Sequence, residues 1–248
     1  MGKKIRILNV IGYVIMVVVN ILAAALPLNG KTTGEISSDI NSLFTPAPYT
    51  FMIWGLIYIL LLGFVIYGLM PKQKQNACID SIGITFFISS ILNALWLIAW
   101  HYEKLWLSLI IMVLLLFTLI KIYNRVNSNC VTKSSDKKFV KLPFSVYLAW
   151  ISIATIANVS AVLKATGWNG LGLSETVWTV IVLIFALILS LYVSINNKDL
   201  AYLLTTAWAL IGILVRHCGS NTPISITVIA AVILIIIQIL FNLRKQGK

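Results

Sequence analysis

The chain has 248 residues, of which 60% are hydrophobic and only 10% are charged. Soluble domains carry roughly 25% charged residues, so this composition excludes an ordinary soluble domain and indicates a membrane protein. The apolar runs are continuous and about twenty residues long, which is the length of a membrane-spanning helix, whereas a β-barrel would show alternating segments of about ten residues. The fold class predicted from these runs is an all-α integral membrane protein with about eight transmembrane helices.

The predicted spans follow one another along the whole chain. They cover about residues 7–27, 49–69, 81–101, 105–123, 142–163, 175–195, 200–216 and 223–243. The loop of residues 28–48 is predicted to contain a short amphipathic helix over residues 37–44. A loop of this length is often a lid, and a plain connector is equally consistent with the sequence. The hydrophilic loop 124–141 is predicted to be mobile.

The basic residues are unequally shared between the two sides of these spans. Fifteen of the 19 lysines and arginines fall on one side and four on the other. Cytoplasmic loops of membrane proteins carry such an excess, which predicts a multi-pass protein of the cell membrane with both termini cytoplasmic. The net charge of +12 is then explained without a nucleic-acid partner. Membrane lipids are the expected partners of the basic side.

Ionisable groups within the spans would indicate ion coupling or catalysis. The acidic residues are predicted to lie in loops or at helix ends, so we expect no buried carboxylate. His101 and His217 are predicted near the outer surface without a second ligand at helical spacing, and no metal site is expected. Cys78 and Cys130 are predicted to face the reducing side, so a structural disulfide is not expected.

Aromatic and amide residues recur at helical spacing in four of the spans, which places those of each span on one face. The candidate ligand-binding residues are Asn20 in the first span, Trp54 and Tyr58 in the second, Asn93, Trp96 and Trp100 in the third, and Tyr147, Trp150 and Asn158 in the fifth. Such residues could line a pocket for a flat apolar ligand with a few polar edges. Interfacial aromatic belts and asparagines that hydrogen-bond neighbouring helices are the alternative interpretation.

The second span opens with two prolines, Pro46 and Pro48, followed by Trp54, Tyr58 and Gly63. This order resembles the second helix of the TspO/MBR family, the tryptophan-rich sensory proteins, which includes the mitochondrial translocator protein. The family pattern has adjacent prolines, whereas one residue separates them here.

Two further motifs occur in the same order as in that family. Asn93 and Trp96 are similar to the Asn-x-x-Trp of its third helix, and Tyr147 and Trp150 are similar to the start of its fifth-helix pattern. The family usually has a proline before that tyrosine, where this chain has Val146.

The resemblance covers about residues 5–165. It implies that residues 1–165 form a TspO/MBR-like five-helix unit, and that residues 166–248 form a three-helix C-terminal extension, as in a longer bacterial branch. It also implies an internal cavity that binds a porphyrin, a sterol or a similar apolar ligand, often in a homodimer. Beyond such a porphyrin-like, haem-like or lipid ligand, no cofactor is expected.

The main functional interpretation is a membrane receptor, sensor or carrier for an apolar tetrapyrrole, sterol or isoprenoid-like ligand, with loop 28–48 over the site. One alternative is a membrane enzyme that modifies or degrades such a ligand. The spans lack an acid, base or metal set for conventional catalysis, so no catalytic residue is assigned. Another alternative is a regulatory or structural membrane protein that contacts a cytoplasmic partner through loop 124–141.

Overall fold

A computed structural model describes residues 3–26, 28–128 and 133–246. These residues form helices and connecting turns. The helices are α1 (Lys3–Ala25), α2 (Thr33–Ile40), α3 (Ile53–Leu69), α4 (Ala77–Ile82), α5 (Thr85–His101), α6 (Leu105–Asn127), α7 (Ser134–Asp136), α8 (Leu142–Ala165), α9 (Glu175–Asn197), α10 (Leu200–His217) and α11 (Thr222–Gln246). A 3₁₀ turn, Pro48–Met52, leads directly into α3, and a π-helical turn, Lys137–Lys141, joins α7 to α8. The predicted all-α class is confirmed.

Seven helical segments in the described part of the chain are long and apolar enough to cross a membrane. They are Lys4–Ala25, Pro48–Leu69, Leu105–Asn127, Ser134–Ala165, Glu175–Asn197, Leu200–His217 and Thr222–Arg244. The eighth apolar helix, α5, has 17 residues and is therefore about 26 Å long, close to the ~30 Å of the hydrocarbon core. The prediction of a multi-pass membrane protein with about eight helices is confirmed.

The third predicted span, 81–101, begins four residues later than expected. Gly83 adopts φ 56° and ψ −136°, a conformation that a residue with a Cβ rarely adopts. This glycine separates the short helix α4 from α5 and gives the chain a corner at this end of the bundle.

The α-helix within loop 28–48 is α2. It begins and ends four residues earlier than the predicted range 37–44 and overlaps that range. Thr32 accepts a hydrogen bond from the Glu35 backbone nitrogen, and the Glu35 carboxylate accepts one from the Thr32 backbone nitrogen at 2.7 Å. These bonds with Thr32 lower the pKa of Glu35. The arrangement is a capping box, and Asn41, at φ 54°, ends the helix.

The hydrophilic loop 124–141 is largely helical where it is described, and residues 129–132 lie outside the described part. Helix α6 continues to Asn127, and α7 runs through the π-helical turn into α8. Asp136 is only 2% exposed because Tyr67 and Asn76 donate hydrogen bonds to its carboxylate, at 2.9 and 2.8 Å.

Helix α10 packs between the first five long helices and the other C-terminal helices. Helices α1, α3, α5, α6 and α8 pack against one another, while α10 packs against α8 on one side and against α9 and α11 on the other. Its first turn is held by Asp199, which is 3% exposed. The Asp199 carboxylate accepts hydrogen bonds from Tyr123 of α6 (2.7 Å), from Ser145 of α8 (2.5 Å) and from the Tyr202 backbone nitrogen (3.1 Å).

The expectation of no buried carboxylate is therefore wrong. Asp136 and Asp199 lie at helix ends, as their sequence positions indicate, but neighbouring helices cover them and supply hydrogen-bond donors. Sequence position along a helix does not show which other helices lie beside its end.

The expectation of no disulfide is wrong for Cys78, which is disulfide-bonded and fully buried. That expectation rested on the redox compartment alone. Cys218 is free and exposed, and Cys130 lies outside the described residues.

Asp199→Asn should destabilise the fold, because the amide keeps one accepting oxygen where the carboxylate offers two to the three donors around it. We expect the free energy of unfolding to fall by roughly 1–3 kcal/mol, measured by denaturant titration in detergent. Asp39→Asn is the matched control, since Asp39 is exposed and paired only with Lys31, and exposed pairs contribute about 0–1 kcal/mol. Equal effects of the two substitutions would contradict the assigned role of Asp199.

Candidate functional site

Trp54 lies in the first turn of α3 and is surrounded by four other aromatic rings. Its ring centroid is 5.6 Å from that of Tyr58, 5.8 Å from Trp96, 6.1 Å from Tyr147 and 6.2 Å from Trp150. We call these five residues the aromatic cluster. Three helices supply them, α3, α5 and α8, so the predicted stripes on these helices do face one another.

Local sequence explains how each helix contributes to the aromatic cluster. Pro48 begins the 3₁₀ turn that runs into α3, where its missing N–H is not needed. The four-residue spacing of Trp54 and Tyr58 lets their rings stack at an interplanar angle of 16°. Tyr147 and Trp150 are three apart on α8 and therefore share a face.

A chain of hydrogen bonds between side chains supports the aromatic cluster. The Asn20 amide of α1 donates to the Asn93 side-chain oxygen at 3.0 Å, and the Asn93 amide donates to the Tyr147 hydroxyl at 3.0 Å. The Tyr58 hydroxyl lies beside both amides without completing a hydrogen bond. The two asparagines thus bind α1, α5 and α8 together.

Within the described residues, three buried polar atoms of the aromatic cluster have no hydrogen-bond partner. They are the Tyr58 hydroxyl oxygen and the indole nitrogens of Trp96 and Trp150. Buried polar groups are nearly always hydrogen-bonded, and an unsatisfied one costs about 1–3 kcal/mol. An indole N–H can only donate, so the cluster offers at least two donors to a molecule that carries acceptors.

The two remaining candidate residues have other partners. Trp100 stacks on Trp96 at 6.1 Å, and its indole N–H donates to the Thr33 carbonyl of α2 at 3.3 Å. The Asn158 amide donates to the Ser108 hydroxyl of α6 at 3.1 Å. Trp100 therefore extends the aromatic cluster toward α2, whereas the Asn158 amide joins α8 to α6.

Sequence reasoning missed two residues that contact the aromatic cluster. The Phe51 ring lies 6.0 Å from that of Trp150 in an edge-to-face arrangement. The Tyr13 hydroxyl of α1 donates to the Tyr58 carbonyl at 3.0 Å. Phe51 could have been found from its spacing, because residues 51, 54 and 58 fall at i, i+3 and i+7.

Loop 28–48 packs across the end of the bundle where α5 ends. His101 is fully buried there, one ring nitrogen lying 3.0 Å from the Thr33 hydroxyl and the other 3.1 Å from the Leu28 carbonyl. The expectation of a surface position for His101 is wrong because α2 covers it, and His217 is also only 5% exposed. No group of three potential metal ligands occurs among the described residues.

The side chains of the aromatic cluster fill the space between their helices. Trp54, Trp96, Tyr147 and Trp150 are each 8% exposed or less. A cavity of about 660 Å³ lies away from the cluster, between the ends of α8 and α9, and is lined by Val159, Trp178 and neighbouring residues. A ligand at the cluster would therefore have to displace these rings.

Comparison with known families gives one match that spans nearly the whole chain. The model of the family described as TSPO-like protein matches residues 6–241. The matched region includes α9 and α10 as well as the five-helix unit, so it extends well beyond residues 5–165. No curated protein and no solved structure matches the chain.

Asn93→Ala should lower the free energy of unfolding by roughly 1–3 kcal/mol, because the Asn20 amide and the Tyr147 hydroxyl lose a buried partner. Denaturant titration in detergent measures the change. Asn196→Ala is the control, since Asn196 is exposed and its amide bonds only to a carbonyl of its own helix. We expect its effect to stay within about 0.5 kcal/mol, and a similar loss in both variants would argue against the buried amide chain.

Proposed function

The chain belongs to the TSPO-like protein family, and from this premise we propose that it is a membrane receptor or carrier that binds an apolar ligand at the aromatic cluster. The observation that carries the proposal is the set of three unpartnered polar atoms around Trp54, on Tyr58, Trp96 and Trp150. Packing alone gives no reason to bury three such groups in one place.

The aromatic composition of the cluster favours a flat, largely apolar ligand. Aromatic side chains supply large contact areas with few rotatable bonds, and ligand pockets are mostly apolar with a few placed polar groups. The rings that now contact Trp54 would exchange these contacts for contacts with the ligand. Tetrapyrroles, sterols and isoprenoid-like molecules all offer the required apolar surface.

The polar atoms of the cluster favour a ligand with neutral hydrogen-bond acceptors. The indoles of Trp96 and Trp150 can only donate, and the five rings with Asn20 and Asn93 carry no formal charge. An ionised group would be costly to bury among them. A carbonyl or hydroxyl oxygen matches the donors, and a tetrapyrrole would have to keep its carboxylates outside the cluster.

The charge distribution supports the proposed orientation in the cell membrane. With both termini cytoplasmic, the end of the bundle that carries α2 lies outside, where four of the 19 lysines and arginines fall. Ligand would then enter or leave from the outer half of the bilayer. The aromatic cluster provides no carboxylate or histidine for acid–base chemistry, which favours a binder over an enzyme.

Protoporphyrin IX titrated into the detergent-purified protein should quench tryptophan fluorescence in a saturable manner. Trp54→Ala should raise Kd about tenfold. Stacking of a flat ring on an aromatic side chain contributes roughly 1–3 kcal/mol, as for nucleic-acid bases, and 1.4 kcal/mol corresponds to tenfold in Kd. Trp106→Phe is the control, because Trp106 is 60% exposed on α6.

An unchanged Kd in Trp54→Ala would place the ligand elsewhere. The same samples, kept in the dark and analysed by chromatography, distinguish a binder from an enzyme. A binder returns the porphyrin intact, and a time-dependent product would favour the enzyme.

The proposed acceptor can be tested with a matched pair of flat probes, anthraquinone and anthracene, in vesicles that contain the protein. We expect anthraquinone to bind about fivefold tighter after correction for lipid partition, since one hydrogen bond contributes about 1 kcal/mol. Trp150→Phe keeps an aromatic ring but removes the N–H, so this advantage should shrink. An advantage that persists in both Trp150→Phe and Trp96→Phe would contradict the donor role of the indoles.

A further inference from the structure

A second set of contacts lies where α10 meets the chain that leads into α3. We call residues 41–52 the cover segment. It begins at the end of α2 and ends two residues before Trp54. Because Phe51 also contacts Trp150, the position of the cover segment is tied directly to the aromatic cluster.

One face of α10 holds the cover segment. Trp208, Gly212 and Arg216 are spaced by four residues and therefore lie in one row. The Trp208 indole N–H donates to the Thr50 carbonyl at 3.0 Å, and the Gly212 carbonyl accepts from the Ala47 backbone nitrogen at 3.0 Å. The middle of the cover segment thus uses α10 for its backbone hydrogen bonds.

The beginning of the cover segment is held by the same helix and by its neighbour. Arg216 donates to the Asn41 side-chain oxygen at 2.8 Å. The Leu43 carbonyl accepts from the His217 ring at 2.8 Å, and the Leu43 nitrogen donates to Glu175 of α9 at 3.1 Å. All of these partners belong to the three C-terminal helices or the segment itself.

The fit between α10 and the cover segment is close at Gly212. A Cβ at this position would lie 2.1 Å from the Thr50 hydroxyl oxygen and 2.9 Å from its methyl carbon. Thr50 is fully buried, and the Tyr49 ring packs edge-to-face on Trp208 at 5.6 Å. The glycine permits the two backbones to approach, and the contact has no room for a larger side chain at position 212.

The preceding residues are anchored to the other half of the protein. Helix α2 is attached to the end of α5 through the bonds of Thr33 with Trp100 and His101. The chain from α2 to α3 therefore spans the end of the bundle between an anchor on α5 and an anchor on α10. Because the four most buried rings of the aromatic cluster are each 8% exposed or less, we expect a ligand that enters from this end to require the release of one anchor.

We propose that α10 is a clamp that holds the cover segment closed over the aromatic cluster, so that the C-terminal helices control ligand access within the same chain. This inference rests on the proposed function of the cluster as a ligand site. The clamp acts on rates: it slows entry and exit together, because the same movement is needed in both directions. Equilibrium affinity changes much less than either rate.

A reversible cross-link tests the clamp directly. Thr50→Cys with Gly212→Cys places two sulfurs across the contact, where the present Cβ separation would be 3.0 Å against about 3.5–4.5 Å in a disulfide; replacing Thr50 removes the crowding atoms. Cys218→Ser serves as the parent. We expect oxidation to slow protoporphyrin IX association at least tenfold, measured by stopped-flow fluorescence, and dithiothreitol to restore it.

The Cys218→Ser parent receives the same oxidation and reduction, which controls for the native disulfide at Cys78. A cross-linked protein, verified by mass, that binds at the parent's rate overturns the clamp. A parent that does not bind protoporphyrin IX counts against the proposed function with this ligand instead, so the two failures are distinguishable.

A measurement without ligand tests the same contact. Trp208→Leu combined with Arg216→Ala should speed hydrogen exchange of residues 41–52 at least tenfold, above all at the Ala47 amide. Leu204→Ala combined with Val215→Ala is the control, since these side chains are 58% and 53% exposed on α10 and make none of the hydrogen bonds that hold the cover segment. Equal exchange in the two double variants overturns the clamp whether or not a ligand binds.

Discussion

The contact of Trp54 with rings from α5 and α8 is the interaction on which the candidate site depends. Lipid tails are as apolar as leucine, so the hydrophobic effect does little to hold helices together within a bilayer. Packing and hydrogen bonds between helices must do so, and here they converge on one place. The rings of Trp96 on α5 and Trp150 on α8 both contact Trp54, while Asn93 joins the same two helices through Tyr147.

The two interpretations of the aromatic and amide stripes apply to different side chains. The amides of Asn20 and Asn93 donate hydrogen bonds to neighbouring helices, which is the structural role. The indoles of Trp96 and Trp150 retain their donors despite burial, which structural packing does not require. The same stripe on a helix can therefore hold the bundle together through its amides and keep binding capacity through its indoles.

Sequence periodicity predicted the helices and the faces of their stripes, because both depend on a few consecutive residues. It could not show which helices are neighbours. Asn158 shares a stripe with Tyr147, yet its amide bonds to Ser108 on α6. Asp199 stands beside a tight turn in the sequence, yet α6 and α8 cover it. The start of α2, unlike the choice of neighbouring helices, could have been predicted, because the capping-box residues Thr32 and Glu35 are present in the sequence.

Helix α10 joins two buried anchors at opposite ends of the bundle. Asp199 fixes its first turn to α6 and α8, and Gly212 fixes its last turns to the cover segment. The two positions are 13 residues apart, which corresponds to about 20 Å of helix. One continuous helix therefore makes both contacts. The family model matches the chain through residue 241, so the matched region includes both of these contacts.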